Sequence, residues 1–296
     1  MEIVICKNIL LDYFRMLVPK EKNEKEKSLQ TSLESNNNKI KISSEYLTIL
    51  EDFFKSKGTH YFDFFQTFIT NIVAGNRDIS FDLGTTSTKE DEILLDCFNY
   101  NLNDYSFIIS KYHNPYLLQK ESNNVCVFEN IDKINKDWLI INILTGYTVD
   151  IDYSNFQTQN SISDFVRSLP LFSKNIDKIE IVDSYFNVGS HNLIYNNLKA
   201  SKSKVVCYSR ILNGEDKKIK RSAIKNFFGK SKTSVLFSSD LKVTHERKIS
   251  IGNLIIEFTH DPDEIKPQNK NWTIYLKICE NRARLFQENV EKYNAT

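Results

Sequence analysis

The opening residues constrain the fold most. Glu2 to Cys6 read EIVIC, a short apolar run of strand character, and pass without a loop into NILLDYFRMLV, whose apolar positions recur at helical spacing. A strand that feeds a helix directly must lay that helix back across its own sheet, which is how a parallel α/β layer begins. The expected fold class is therefore α/β. No apolar run approaches the ~20 residues that a helix needs to cross a bilayer. The N-terminus lacks the basic flank and small-residue cleavage site of a signal peptide, so the expected location is cytoplasmic. The five cysteines (Cys6, Cys97, Cys126, Cys207, Cys279) form no CxxC or CxxH pair. They read as reduced thiols rather than as disulfides or zinc ligands.

The first half carries most of its organisation in helix signals. Residues 20–43 are polar and rich in Asn and Ser, and they read as a mobile surface insertion spanning about 19–43. SSEYLTILEDFFKSKG then offers a cap at Ser43 or Ser44 and a stop at Gly58. A Phe-dense helix from Tyr61 to Ala74 reads as core. TSTKEDEILLDCF is a capped helix with an acidic first turn at Glu90, Asp91 and Glu92. The strand SFIIS, a short helix from Pro115 to Leu118 and the strand NVCVF follow. This order predicts a parallel sheet with helices on both faces.

The same pieces resemble the PIN-like nuclease domain over residues 1–140. NILLDYF looks like that family's Asp-x-Asn-x-Leu-Leu-Asp-Tyr start, KEDEILLDC like its acidic helix, and DYSFIISKYHNPYLL like its late strand and short helix. The resemblance implies a carboxylate cluster around Mg²⁺ or Mn²⁺, because hard cations take oxygen ligands. Asp91, Glu45 and Asp96 are the candidates for it. Cys6 or Lys7 stands where the first Asp belongs, and Ser110-Lys111 where a late acid does. These departures leave a second reading in which no metal is held and the acids of the helix start serve the helix dipole.

Residues 141–164 are polar and turn-rich and read as a connector or an irregular strand pair. SISDFVRSLPLF reads as a short capped helix. KIEIVDSYF, HNLIYNNLKASK, SKVVCYSRI, EDKKIKRSAIKNFFGK, a pair of strands up to NLIIEF, and NWTIYLKIC then alternate as strands and helices, with a terminal helix. Residues 165–296 resemble the phospholipase D-like fold, in the single-motif form of the C-terminal domain attached to microtubule-interacting-and-transport modules. IEIVDSYF with Asp183, the VVCYSR strand and THERKISIGNLIIEF carry the likeness. It implies a histidine nucleophile, His245, with Arg247 gripping phosphate. In this motif the acid position is Gly252, and Asn253 comes one residue late. An active site would need a second His245 across a homodimer, or His191 or His260; the bland alternatives are a capping role for His191 and turn or hairpin roles for the other two.

Charge completes the reading. The whole chain sums to +1, yet residues 1–140 hold 16 Lys+Arg against 21 Asp+Glu, and residues 141–296 hold 23 against 17. The basic excess gathers in Lys217, Lys218, Lys220, Arg221, Lys225, Lys230 and Lys232, beside Phe227 and Phe228. Such a helix could track a phosphate backbone, face an anionic lipid surface, meet the acidic half of another copy, or simply be solvated. Two nuclease-like domains with incomplete catalytic sets imply a non-catalytic subunit that binds nucleic acid or a protein partner. On the analogy of the two folds, it would belong to a bacterial anti-phage defence system. The alternatives are a phosphodiesterase using His245 across a dimer and a Mg²⁺-dependent ribonuclease.

Overall fold

The computed structural model describes residues 1–84, 87, 89–101, 106–121, 124–132, 134–146, 149–152, 154, 165, 177–186, 193–199, 202–238, 247–252, 254–260, 265 and 272–278. The chain separates into two compact units, Met1–Tyr147 and Thr148–Thr296. Both are mixed α/β. Among the described residues no helix is long and apolar enough to cross a membrane.

In the first unit, β1 (Glu2–Ile5) runs straight into α1 (Lys7–Leu17), followed by α2 (Glu24–Glu34), β2 (Lys39–Ser43), α3 (Ser44–Lys57), α4 (Thr59–Ala74) and β3 (Asp78–Phe81). After these come α5 (Glu90–Asn99), β4 (Ser106–Ser110), α6 (Pro115–Glu121), β5 (Val125–Val127) and α7 (Lys136–Leu144). The five strands are all parallel, in the order β3-β2-β1-β4-β5. Strands that receive helices on both faces are apolar throughout, and Ile3, Val4, Phe107, Ile108 and Ile109 are accordingly buried. One aromatic layer ties α1, α3 and α4 together: Phe14 meets Phe54 at 5.1 Å, and Phe54 stacks on Phe65 at 5.0 Å. Fully buried rings of this size stabilise the fold by about 1.5–3 kcal/mol each.

The stretch expected to be a mobile insertion is part of this core. Residues 24–34 form α2, opened by a reciprocal cap in which Asn23 accepts the Glu26 N–H and the Glu26 carboxylate accepts the Asn23 N–H. Leu29 and Leu33 are fully buried beneath it. Residues 39–43 form β2, hydrogen-bonded between β1 and β3. The strand looked polar because it carries Lys41, which is only 1% exposed. Its ammonium group sits 2.8 Å from Glu2 and also donates to the carbonyls of Phe98 and Tyr100. A buried cation supplied with an anion and two carbonyls can occupy a sheet interior that composition would assign to an aliphatic residue. β3 likewise went unseen in the sequence.

The second unit holds β6 (Val149–Asp152), β7 (Lys178–Val182), α8 (Leu193–Lys199), β8 (Lys204–Arg210), α9 (Lys217–Phe228), β9 (Thr233–Ser238), β10 (Arg247–Ile251), β11 (Leu254–Phe258) and β12 (Thr273–Ile278). They form a seven-stranded sheet in the order β6-β12-β11-β10-β7-β8-β9. β7, β8 and β9 are parallel, and the remaining pairings are antiparallel. The region expected to be a connector contains the end of α7 and all of β6, whose Ile151 is buried opposite Ile274. The expected hairpin is β10 and β11, turned at Gly252, whose φ of +58° suits glycine. The expected helices at 161–172 and after Ile278 lie outside the described residues, apart from buried Phe165.

Candidate functional site

In the first sheet the strand order reverses direction between β1 and β4, and an open α/β sheet offers its binding crevice at the carboxyl ends of such a strand pair. Cys6, Lys7, Ser110 and Lys111 follow those two ends. Salt bridges and side-chain hydrogen bonds link the residues around it. Lys7 pairs with Glu90. Lys111 reaches both carboxylate oxygens of Asp12, at 2.8 and 3.0 Å. The Asn114 amide donates to Asp91 at 2.8 Å, while its own carbonyl oxygen accepts the Tyr116 and Leu117 N–H groups at the start of α6. The Cys6 thiol is buried, and desolvation pushes its pKa up to about 12, against a hydrogen bond with Ser110 that pulls it down. A thiol so buried is a poor nucleophile at neutral pH.

The three metal candidates do not share a cluster. Asp91 serves Asn114. Glu45 accepts the N–H groups of Leu83 and Gly84 at 3.1 and 2.9 Å. Hydrogen bonds from its own backbone N–H and from those of Leu83 and Gly84 hold its carboxyl at about 2, and the Ser43 hydroxyl acts in the same direction. Asp96 is exposed on α5. Among the described residues no three His, Cys, Asp or Glu side chains are grouped to hold a metal ion.

The second unit concentrates cations at the carboxyl ends of its parallel strands. Asp183 follows β7 and is buried: its N–H donates to the Tyr208 carbonyl, and its carboxylate accepts the Tyr185 N–H at 2.9 Å and the Tyr195 hydroxyl at 2.7 Å. Arg210 ends β8. Because β10 runs antiparallel to β7 with Lys248 opposite Val182, Arg247 starts at the same edge. The two guanidinium groups share one ring, lying 5.3 and 5.4 Å from the centre of Tyr185. Arg247 Nε is also 3.9 Å from Asp183. Tyr185 thus orients both guanidinium groups at one strand edge, and Asp183 offsets part of the charge of Arg247.

The basic helix divides into two groups. α9 is capped by Asp216, which accepts the N–H groups of Lys218 and Ile219. Lys217 and Arg221 sit over Phe237 near the end of β9, at 6.0 and 5.4 Å from its centre, and Lys218 and Lys230 are exposed. Lys220 departs from the expectation: it lies on the buried stripe with Ile224 and Phe228 and bonds Glu215 at 2.9 Å. Lys232 donates to the Lys199 carbonyl, closing α8. Phe228 is buried, and the half-buried Phe227 packs on Phe186 at 6.1 Å. Both rings anchor the helix to the body. His245, His191 and Asn253 lie outside the described residues, and His260 is exposed beside the Thr259 hydroxyl.

Sequence reasoning missed Arg210 and Tyr185. Both were in view, as the last residue of VVCYSR and in VDSYF, but only the parallel pairing of β7 with β8 brings them to one edge.

No protein-family profile matches the chain, and no curated protein does. Among solved structures it is similar to polyphosphate kinase from Porphyromonas gingivalis, with a TM-score of 0.36 and 14% identity over 51% of this chain and 26% of that one. Nuc, a phospholipase D family member from Salmonella typhimurium, has a TM-score of 0.32 and 15% identity over 44% of this chain and 84% of its own. TrmBL2, an archaeal chromatin protein described with a novel mode of DNA binding, has a TM-score of 0.29 and 11% identity over 49% and 51%. The chain therefore spans about a quarter of the length of the first of these structures.

Proposed function

We propose that the second unit is a non-catalytic binding module for nucleic acid, contacting the phosphate backbone at the carboxyl ends of β7, β8 and β9. The observation that carries this reading is the pair of guanidinium groups, Arg210 and Arg247, placed on the single ring of Tyr185. Planar, permanently charged donors match phosphate oxygens. Lys217 and Arg221 on Phe237 extend the positive surface along the same strand edge. The phospholipase D-like likeness of the motif around Asp183 and Arg247 is consistent with this use of the fold, and a protein partner or second copy remains part of the same proposal for the acidic first unit. The first unit, PIN-like in its sequence order, is proposed to act as a scaffold, since its candidate acids Asp91 and Glu45 are engaged by an amide and by backbone N–H groups.

The test is a labelled single-stranded RNA and DNA binding and cleavage assay, with and without EDTA. Salt-dependent binding without cleavage is expected, weakened at least about 10-fold in Arg210→Ala/Arg247→Ala, because each lost phosphate contact removes roughly one counterion's worth of salt dependence. Binding unaffected by that double substitution overturns the reading. Cleavage that survives EDTA and disappears in His245→Ala replaces it with the phosphodiesterase, in which His245, two residues before Arg247, attacks phosphorus. Cleavage lost with EDTA and in Asp91→Ala replaces it with the Mg²⁺-dependent ribonuclease.

A further inference from the structure

Glu215 occupies an unusual position among these cations. Its Oε2 accepts the Leu212 N–H at 2.8 Å and the Lys220 ammonium at 2.9 Å, and Arg210 acts on the same carboxylate through space. Lys220 is 7% exposed while the Glu215 side chain is 35% exposed. The anion can therefore swing into solvent and the cation cannot follow, since Lys220 shares the buried stripe of α9 with Ile224 and Phe228. A buried ammonium left without its anion is strongly unfavourable, so the position must always hold a negative group. Among the described residues the other acids at this end of the strands have partners of their own. Asp183 is committed to Tyr185 and Tyr195, and Asp216 caps α9. The Nε atoms of Arg210 and Arg221 are buried and meet no hydrogen-bond acceptor among the described residues.

We infer that Glu215 is a resident stand-in for a ligand phosphate: a phosphate group displaces its carboxylate from Lys220 and the Leu212 N–H, and Glu215 is thereby a built-in competitor for the site. The inference deepens the nucleic-acid reading and rests on it for the identity of the natural ligand. The phosphate subsite is formed by Lys220 and the Leu212 N–H, and binding strength is set by how readily Glu215 yields.

The probe is inorganic pyrophosphate, titrated calorimetrically into the full chain, into Glu215→Gln and into Glu215→Gln/Lys220→Met. Gln retains an acceptor for the Leu212 N–H while removing the competing charge. Glu215→Gln is expected to bind about 5-fold tighter, the upper end for a solvent-exposed ion pair, and the double variant to lose that gain. Unchanged or weaker binding by Glu215→Gln, with an unaltered circular dichroism spectrum, overturns the inference. Should Glu215→Gln fail to fold, Glu215→Asp, which keeps the anion but shortens its reach to Lys220, is expected to bind pyrophosphate more tightly than the wild type, and unchanged affinity overturns the inference. A gain in pyrophosphate affinity without any nucleic-acid binding would uphold the subsite and remove the nucleic-acid reading. Nucleic-acid binding without that gain would do the reverse.

Discussion

Glu45 illustrates how a carboxylate chosen for metal chemistry can be taken up by the backbone. Its folded pKa of about 2 lies below the ordinary 4.5, so between these values the folded chain binds fewer protons than the unfolded one. The stability it confers is complete above about pH 4.5 and is lost as pH falls through about 2. Thermal melts from pH 6 to pH 2 should therefore show a steeper acid loss for the wild type than for Glu45→Gln; parallel curves would rule this out. The acids themselves were visible in the sequence, but what each one touches was not. Asp91 stands in the first turn of α5, and the residue that bonds it, Asn114, lies 23 positions away, beyond β4. Likewise Lys220 had the look of a solvated basic residue, and only the phase of α9 against β9 shows that it points inward.

At the scale of elements, the segment after Val18 gave the most misleading signal. Polar composition predicted a loose insertion, whereas α2 and β2 hold a cap, two buried leucines and a strand flanked by neighbours on both sides. Leu33 is fully buried. Leu33→Ala should destabilise the first unit by ~2–5 kcal/mol, the usual range for a leucine truncated inside a packed core. Urea unfolding monitored by far-ultraviolet circular dichroism measures it, and a loss below ~1 kcal/mol would show the helix to be peripheral. The strands and helices that were legible, β1 into α1, α5, β4 and β7 through α9, share clear apolar periodicity; the cap expected for α5 is absent, since Lys89 stands at its N-cap and makes no side-chain cap bond, whereas Asp216 caps α9. β2 and β3 were not legible because the buried Lys41 breaks the apolar pattern of one and the other is a four-residue edge strand with polar Asp78 and Ser80 at alternate positions.

For the whole molecule, the near-zero net charge conceals a separation between an acidic first unit and a basic second one. Long-range attraction to a polyanion follows the local field rather than the sum. On a heparin column at neutral pH the chain should be retained despite its charge of +1. Lys217→Glu/Lys218→Glu should elute at markedly lower salt, and Asp52→Asn/Asp63→Asn should leave elution unchanged. Shifts in opposite directions, about twice as large for the lysine pair as for the aspartate pair, would mean that retention follows total charge alone.

The pairing of β6 with β12 has a consequence for how the chain is made. Ile151 emerges early in the second unit and its partner Ile274 more than a hundred residues later, so the seven-stranded sheet cannot close until β12 has been synthesised. Every strand of the first sheet lies before residue 128, and that unit can be complete on the ribosome while its neighbour is still waiting for its last strand. A message cut short before residue 273 would release a finished first unit tethered to an open sheet edge. Such a product is prone to aggregation and a natural target for quality control.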